Sequence, residues 1–277
     1  MDGALELAFD RRGTAGARYS TRLARLHQAA PLRALFPETC GMDVPVAALT
    51  ATCGGFTGGD SMRTAIDIGP GAGAMAVAQA AEKLYRAGSG ETRIEVALTV
   101  EAGGWLEWLP QETILFDGAR MRRRTRIDLD AEAAILAGEI LVFGRAARGE
   151  RMTSGLVHDA WAVVRDGKPK WADSFHLADR QLTEALDHPA ALRGIGAAAM
   201  LVYAGPGVSG RLALLRDMAD EAPPGVRFGA TLVRDVLVAR WLAPDALHIR
   251  PHFAAAWTAL RADARGLAAR LPAFWHH

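Results

Sequence analysis

Apolar and polar residues alternate in short runs up to about residue 175. A period of two places every second side chain on the same face of a strand, so each run predicts a strand with one buried face and one face toward solvent. Glycine-rich breaks at residues 69–73 and 103–104 separate some of these strands. The clearest runs are residues 5–9, 21–27, 64–68, 93–100, 122–129 and 156–164.

The spacing of apolar residues changes after about residue 180. Leu212, Leu215 and Met218 recur at helical spacing and predict a helix over residues 208–221. Residues 227–242 return to strand character, because β-branched and other apolar residues dominate there.

A second helix is predicted over residues 253–271, between Pro251 and Pro272. Its apolar stripe contains Trp257, Leu260 and Leu267. These three side chains either pack on the chain's own core or dock a partner protein. Packing is favoured, because a surface helix usually buries its apolar stripe on its own domain.

The order of elements predicts a mainly β protein. Short strands with glycine-rich turns between them are typical of a sandwich, a barrel or a solenoid-like stack of sheets. No long linker interrupts the pattern, so residues 1–277 are interpreted as a single domain. That domain is β-rich over residues 1–180 and mixed over residues 181–277, with about two helices toward the C-terminus.

Composition excludes several classes of function. The chain of 277 residues has a formal net charge of +1, which does not favour nucleic acid as a partner. No apolar run approaches the length that spans a bilayer. Two cysteines, Cys40 and Cys53, rule out a disulfide framework and a four-thiolate zinc site. A soluble protein of the reducing cytoplasm is expected.

Residues 53–60 form the most unusual segment, with Gly54, Gly55, Gly58 and Gly59 around a Phe-Thr pair and Asp60 at its end. Glycines allow a backbone to approach a phosphate closely, but the lysine of a phosphate-binding P-loop is missing. A tight turn or bulge, with Asp60 accepting bonds from local amides, is the favoured alternative.

Several acids lie in apolar surroundings. Glu107, Glu112 and Asp117 stand among aromatic and aliphatic residues, and Glu139 heads the apolar run at residues 138–145. A buried carboxylate must be paired or bound to a cation, so Glu107, Glu112 and Asp117 are candidate general acids and bases, oxygen ligands for a divalent ion, or partners of the arginines at residues 120–126. Glu139 is either a turn residue or part of a polar channel.

Signatures of common enzymes are missing. The sequence has neither the H-E-x-x-H pattern of zinc proteases nor the G-x-S-x-G turn of serine hydrolases. His248 and His252 are four residues apart, but Pro251 lies between them. The terminal pair His276 and His277 is interpreted as a tail.

Five segments together resemble the urease accessory proteins of the UreD type, also called UreH. The likeness is strong over residues 5–180 and looser over residues 180–277. One departure is Glu82, at a position where an uncharged hydroxyl residue is expected. The segments are residues 32–38, 54–60, 71–86, 106–120 and 138–150.

This resemblance implies a nickel-delivery scaffold rather than an enzyme. Proteins of this type bind apo-urease and a UreF-type accessory protein, and through it recruit a UreG-type GTPase, with two copies of the chain possible in the complex. Nickel is expected in transit through a water-filled tunnel, with no tightly bound cofactor. The acids predicted along the path are Asp60, Glu112, Asp117 and Glu139.

Two other functions stay open from the residues alone. One is a β-rich hydrolase that uses two of Glu107, Glu112, Asp117 and Asp60 as an acid–base pair. Such a pair converges in one pocket at about 5 to 10 Å, whereas a conduit strings its acids along a passage. The other is an interaction module without a metal role, which predicts an exposed apolar patch.

Overall fold

A computed structural model describes residues 1–13, 20–38 and 41–276 of the chain; Cys40 and His277 lie outside the described residues. The helices are α1 (Asp179–Asp187), α2 (Arg211–Asp217) and α3 (Ala246–Arg265). The strands are β1 (Asp2–Arg12), β2 (Ser20–Ala29), β3 (Leu32–Leu35), β4 (Val46–Ala51), β5 (Ser61–Ile68), β6 (Gly73–Ala78), β7 (Glu82–Leu84), β8 (Thr92–Val100), β9 (Trp105–Leu109), β10 (Glu112–Leu115), β11 (Arg120–Leu129), β12 (Ala134–Arg145), β13 (Glu150–Arg151), β14 (Leu156–Arg165), β15 (Lys168–Ala178), β16 (Ala197–Ala204), β17 (Arg227–Val233) and β18 (Val236–Ala243).

The chain coils into a β-solenoid of about four turns. Successive long strands alternate between two sheets, so that β5, β8, β11 and β14 stack in parallel in a 7-stranded sheet. Strands β4, β6, β9 and β12 stack in parallel in an 11-stranded sheet. The mainly β fold predicted from the sequence is confirmed, and among the three β architectures the solenoid is the one that forms.

The strands of the smaller sheet were predictable because the two faces of the sheet have different surroundings. In β8 the residues Ile94, Val96 and Leu98 are buried, whereas Arg93 and Glu95 between them are exposed. One face lies on the core and the other meets solvent, which produces the alternation. The predicted runs lie within β1, β2, β5, β8, β11 and β14.

The larger sheet has protein on both faces. Strand β9 is buried at every position, because it separates two apolar cores. The first core fills the space between the two sheets. The second lies between the larger sheet and α3, and contains Trp105, Trp241, Trp257 and Phe253.

The C-terminal helices follow the prediction in part. Helix α2 with its flanking 3-10 turns spans the predicted segment 208–221. Helix α3, however, begins at Ala246 and ends at Arg265, rather than spanning 253–271. The Asp245 carboxylate caps its start by accepting a bond from His248 N at 3.1 Å, so Pro251 lies inside the helix. The proline gives up only the bond to the carbonyl of Leu247, a residue that is 77% exposed.

The stripe of α3 packs on the second core. Trp257 and Leu260 are completely buried there, as the favoured interpretation expected. Leu267 follows the end of the helix and is partly buried against the same core. Over residues 1–13, 20–38 and 41–276, no helix has the length and apolar character needed to cross a membrane.

Candidate functional site

A buried cluster of charges lies between the two sheets. Arg123 on β11 donates to the carboxylates of Glu139 on β12 and of Asp159 on β14. These three residues are only 6%, 7% and 2% exposed. Arg123 and Asp159 stand opposite each other in the parallel ladder of β11 and β14, whereas Glu139 approaches from the other sheet. One arginine thus holds two carboxylates across the core.

Two polar atoms at the cluster are left without a partner. Arg123 Nε donates to Asp159 Oδ2 at 3.0 Å, and Arg123 Nη1 donates to the Thr113 hydroxyl at 3.1 Å. Among the residues that the structure describes, the acceptor Asp159 Oδ1 and the donor Trp161 Nε1 are buried without a hydrogen-bond partner. A further acid, Glu82 on β7, is near enough for its charge to act on Arg123. Three carboxyl groups therefore surround one guanidinium.

Burial controls the protonation of these acids. It raises the pKa of Glu139 well above 4.5, and the neighbouring Asp159 raises it further, while Arg123 opposes the shift. Burial likewise raises the pKa of Glu82, again against Arg123. Burial alone would lower the pKa of Arg123, but Asp159 and Glu139 outweigh it and raise that pKa. Burial and Asp159 together therefore favour the protonated form of Glu139.

Two cavities meet at this cluster. The first has a volume of about 260 Å³, and is lined by Glu82, Arg123, Glu139 and Trp161 before it reaches the exposed Lys83. The second has a volume of about 310 Å³ and is also lined by Glu139 and Trp161.

The second cavity leads to the opposite side of the cluster. Asp159 lines it, and it extends to the ion pair of Arg240 and Asp173 at the surface, whose charged atoms are 2.6 Å apart. Glu139 and Trp161 therefore stand where two surface-reaching cavities adjoin.

The other predicted acids lie elsewhere and have partners of their own. Asp60, 5% exposed, accepts from Thr57 N at 2.8 Å and from the amino group of Met1. Its bond to a local amide is the one that the turn interpretation expected. Glu112 pairs with Arg250 on α3.

Asp117 holds a turn. Its Oδ1 accepts from the backbone N–H groups of Thr153 at 2.8 Å and Ser154 at 3.0 Å, and its other oxygen pairs with Arg86. Burial alone would raise the pKa of Asp117, but these bonds outweigh that effect and lower the pKa. The structure does not gather the four predicted path acids into one cluster, and only Glu139 lines the two cavities.

The glycine loop packs closely against residues 83–90. Gly55 has a φ of +146° and faces the Lys83 carbonyl so closely that a side chain would collide with it. Phe56 between the glycine pairs is fully buried. The geometry is that of a packed turn.

Glu107 lies in the second core, away from both cavities. It is completely buried and accepts from Arg261 Nε at 2.9 Å, Trp257 Nε1 at 2.9 Å and Trp105 Nε1 at 3.1 Å. Burial raises the pKa of Glu107, and Arg261 and the two indoles oppose that shift.

The four acids of the hydrolase alternative therefore contact four different sets of partners. This arrangement offers no support for an acid–base pair among Glu107, Glu112, Asp117 and Asp60. Within the described ranges, no group of three or more His, Cys, Asp or Glu side chains is placed to hold a metal ion.

Arg123 and Asp159 were not singled out from the sequence, although a signal exists. In β11 the exposed arginines occupy the outward positions, and Arg123 falls on the inward ones with Met121 and Thr125. Asp159 falls between Val157 and Trp161 on the inward face of β14. A charged residue on the buried phase of an alternating strand indicates a buried charge that needs a partner.

Comparison with known proteins relates this chain to one family. The model of the family described as UreD urease accessory protein matches residues 1–276. The chain is similar to the urease accessory protein UreD of Magnetococcus marinus, with 40% identity over 92% of this chain and 89% of that one. It is also similar to UreD of Azorhizobium caulinodans, with 38% identity over 92% and 90%, and to UreD 1 of Methylobacterium radiotolerans, with 41% identity over 80% and 76%.

Proposed function

The chain belongs to the UreD family of urease accessory proteins, and we propose that it conducts nickel to apo-urease through the two cavities between its sheets. Its family places it in urease maturation as a non-catalytic accessory protein. The passage of nickel is the part that we add, and it rests on the cluster at the meeting point of the cavities.

The observation that carries the proposal is the shared lining of the two cavities. Glu139 and Trp161 border both, and Asp159 offers a buried oxygen that no described residue satisfies. An unpartnered carboxylate oxygen next to water-sized space can take a divalent cation. Each cavity has room for several waters, because a water molecule occupies about 30 Å³ in the liquid.

The chemistry of the cluster suits transfer better than storage. Carboxylates and waters hold a divalent transition metal less firmly than a cage of thiolates and imidazoles. Arg123 already neutralises part of the acidic charge, so a cation that enters meets only the remainder. Arrival of the ion displaces the proton that burial favours on Glu139, and departure returns it.

Partners form the second part of the proposal. Its support is the family membership, from which we propose apo-urease, a UreF-type protein and, through it, a UreG-type GTPase as partners in the cytoplasm. Asp60, Glu112 and Asp117 are retained as proposed path acids, although each now has a local partner.

The test is urease activation in cells that express the urease subunits and the other accessory proteins with nickel. Omitting this chain should abolish both urease activity and bound nickel. Urease that loads fully without the chain contradicts a maturation role.

A matched pair of substitutions then tests the conduit. Glu139→Gln should leave the complex assembled in a pull-down but lower the nickel content of urease, by roughly tenfold, since it removes the exchangeable charge. Glu95→Gln, on the exposed face of β8, should load urease like the wild type. Equal loading by both variants contradicts the conduit and leaves the maturation role standing.

A further inference from the structure

Two histidines face each other on the outer surface of the smaller sheet. His158 on β14 and His176 on β15 are directly opposite in the antiparallel ladder. Their Nδ1 atoms are 2.9 Å apart, and their ring centroids are 5.1 Å apart. Both point away from the cavities, because their chain neighbours Asp159 and Phe175 face inward and line the second cavity. His176 is exposed and His158 partly so.

We propose that His158 and His176 bind a divalent transition-metal ion at the surface of the protein. Imidazole nitrogen is a favoured ligand for nickel, copper and zinc, and two of these rings are held in place by paired strands. With metal–nitrogen bonds of about 2.0–2.1 Å, two ligands at a right angle have their nitrogens about 2.9 Å apart. Ligands at the tetrahedral angle would be about 3.3 Å apart.

The observed separation is therefore within the range of two nitrogen ligands that share one nickel, copper or zinc ion. No third His, Cys, Asp or Glu in the described part of the chain completes a closed cage. Water fills the remaining positions, so the ion stays exchangeable.

The surroundings keep the ligands in the form that a metal needs. A ring nitrogen binds metal only when it carries no proton. Burial first, and then the charge of Arg122, lowers the pKa of His158, which favours the neutral ring. Arg122 itself is paired with Glu91 at 2.7 and 3.1 Å, which offsets the repulsion that a bound cation would meet.

A simple hydrogen bond between the rings is the competing explanation of the same distance. In that case one Nδ1–H donates to the other ring, and a metal gains nothing. The two explanations differ in whether both rings are needed for metal affinity. The proposal does not depend on nickel passage between the sheets, so either can fail alone.

The experiment is calorimetric titration of the full-length protein with NiCl₂, in a background carrying His276→Ala and His277→Ala to remove binding by the terminal pair. His158→Ala and His176→Ala are compared with His27→Ala, which removes an exposed histidine from strand β2. Thermal melting shows that each variant is folded, and His176→Gln provides a more conservative second change.

The expected result is one nickel ion per chain in the background protein and in His27→Ala. Each of the three other variants should bind at least about tenfold more weakly, because one of only two protein ligands is gone. With Cu²⁺ as the probe, the electron paramagnetic resonance spectrum should show two coupled nitrogens in the background protein. Unchanged nickel affinity in His158→Ala and His176→Ala, or no saturable binding in the background protein, overturns the proposal.

Discussion

Two buried arginines hold carboxylates in this protein, one in each core, and the cores differ in the buried polar atoms that are left without a partner. In the second core, Arg261 and Glu107 are both fully buried, and both oxygens of Glu107 accept hydrogen bonds. The buried atoms left without a partner in that core, among the described residues, are two donors, Arg261 Nη2 and Trp275 Nε1. In the first core they are an acceptor, Asp159 Oδ1, and a donor, Trp161 Nε1.

The two clusters also differ in the open space around them. Cavities of about 260 and 310 Å³ border the Arg123 cluster, whereas neither is lined by Glu107 or Arg261. An unpartnered donor in a packed core affects only the stability of the fold. A spare carboxylate oxygen beside open space can take a cation or a water. Burial of charge alone therefore does not mark the functional site; an unpartnered carboxylate oxygen that open space can reach does.

The largest effect is expected from Arg261→Met. It leaves Glu107 without its cation in a packed core, and breaking a buried pair in this way costs about 3–5 kcal/mol of unfolding free energy. Urea denaturation measures the loss. Arg265→Met, on the exposed side of the same helix, is the control and should cost less than about 1 kcal/mol. If Arg261→Met costs no more than the control, the structural role of the second cluster is wrong.

Arg123→Met should cost less, about 2–3 kcal/mol. The carboxyls of Glu139 and Asp159 lose their cation too, but the cavities let them hydrate or take up protons instead. The same urea series compares it with Arg261→Met. A cost equal to or above that of Arg261→Met would remove the distinction between a packed and an accessible cluster.

Asp117→Ala tests a predicted path acid that belongs to neither cluster. It leaves the N–H groups of Thr153 and Ser154 without their acceptor, so about 1–2 kcal/mol of stability should be lost. Asp128→Ala is a suitable control, because Asp128 pairs with the exposed Arg126 at the surface. If Asp117→Ala and its control are equally stable, Asp117 does not hold the turn.

A further expected effect is a pH dependence of stability. Because the folded-state pKa of Glu139 is raised above 4.5, the stability this group contributes is full below 4.5 and declines as pH rises toward the folded value. Glu139→Gln removes the group that titrates and therefore removes that decline. The charged groups of Arg123, Asp159 and Glu82, which face the position, stay in place. The free energy of unfolding of Glu139→Gln, relative to that of the wild type, should rise with pH above 4.5 by at most about 1.4 kcal/mol per pH unit.

Urea denaturation at several pH values between 5 and 8 measures this difference, with Glu95→Gln as the control. A difference between Glu139→Gln and wild type that stays constant or falls with pH contradicts a raised pKa for Glu139.

The features that could be predicted from the sequence are those that depend on residues close together in the chain. The strands of the smaller sheet were visible because one face meets solvent, and Glu139 was recognised because an acid in an apolar run stands out. The start of α3 was misplaced because Pro251 was interpreted as a boundary, when Asp245 caps the helix earlier.

Pairings between distant residues were beyond such reasoning. Glu107 and Arg261 are 154 positions apart, and Glu112 pairs with Arg250 rather than with the nearby arginines at residues 120–126. Alternation within a strand shows which residues face inward, but it does not show which residues of the other sheet they meet. The cluster of Arg123, Glu139 and Asp159 needs three strands, β11 and β12 of one solenoid turn and β14 of the next.

The most direct test of the central claim fills the second cavity and measures nickel. Ala198 lines this cavity, and Ala198→Phe should obstruct it while adding one side chain to the edge of the core. Ala97→Phe, on the exposed face of β8, is the matched control. Nickel per urease is measured after co-expression, and a pull-down together with thermal melting verifies that each variant folds and assembles.

Assembled Ala198→Phe complexes should deliver little nickel, whereas Ala97→Phe complexes should load urease like the wild type. Full loading by an assembled and folded Ala198→Phe variant would contradict passage of nickel between the sheets.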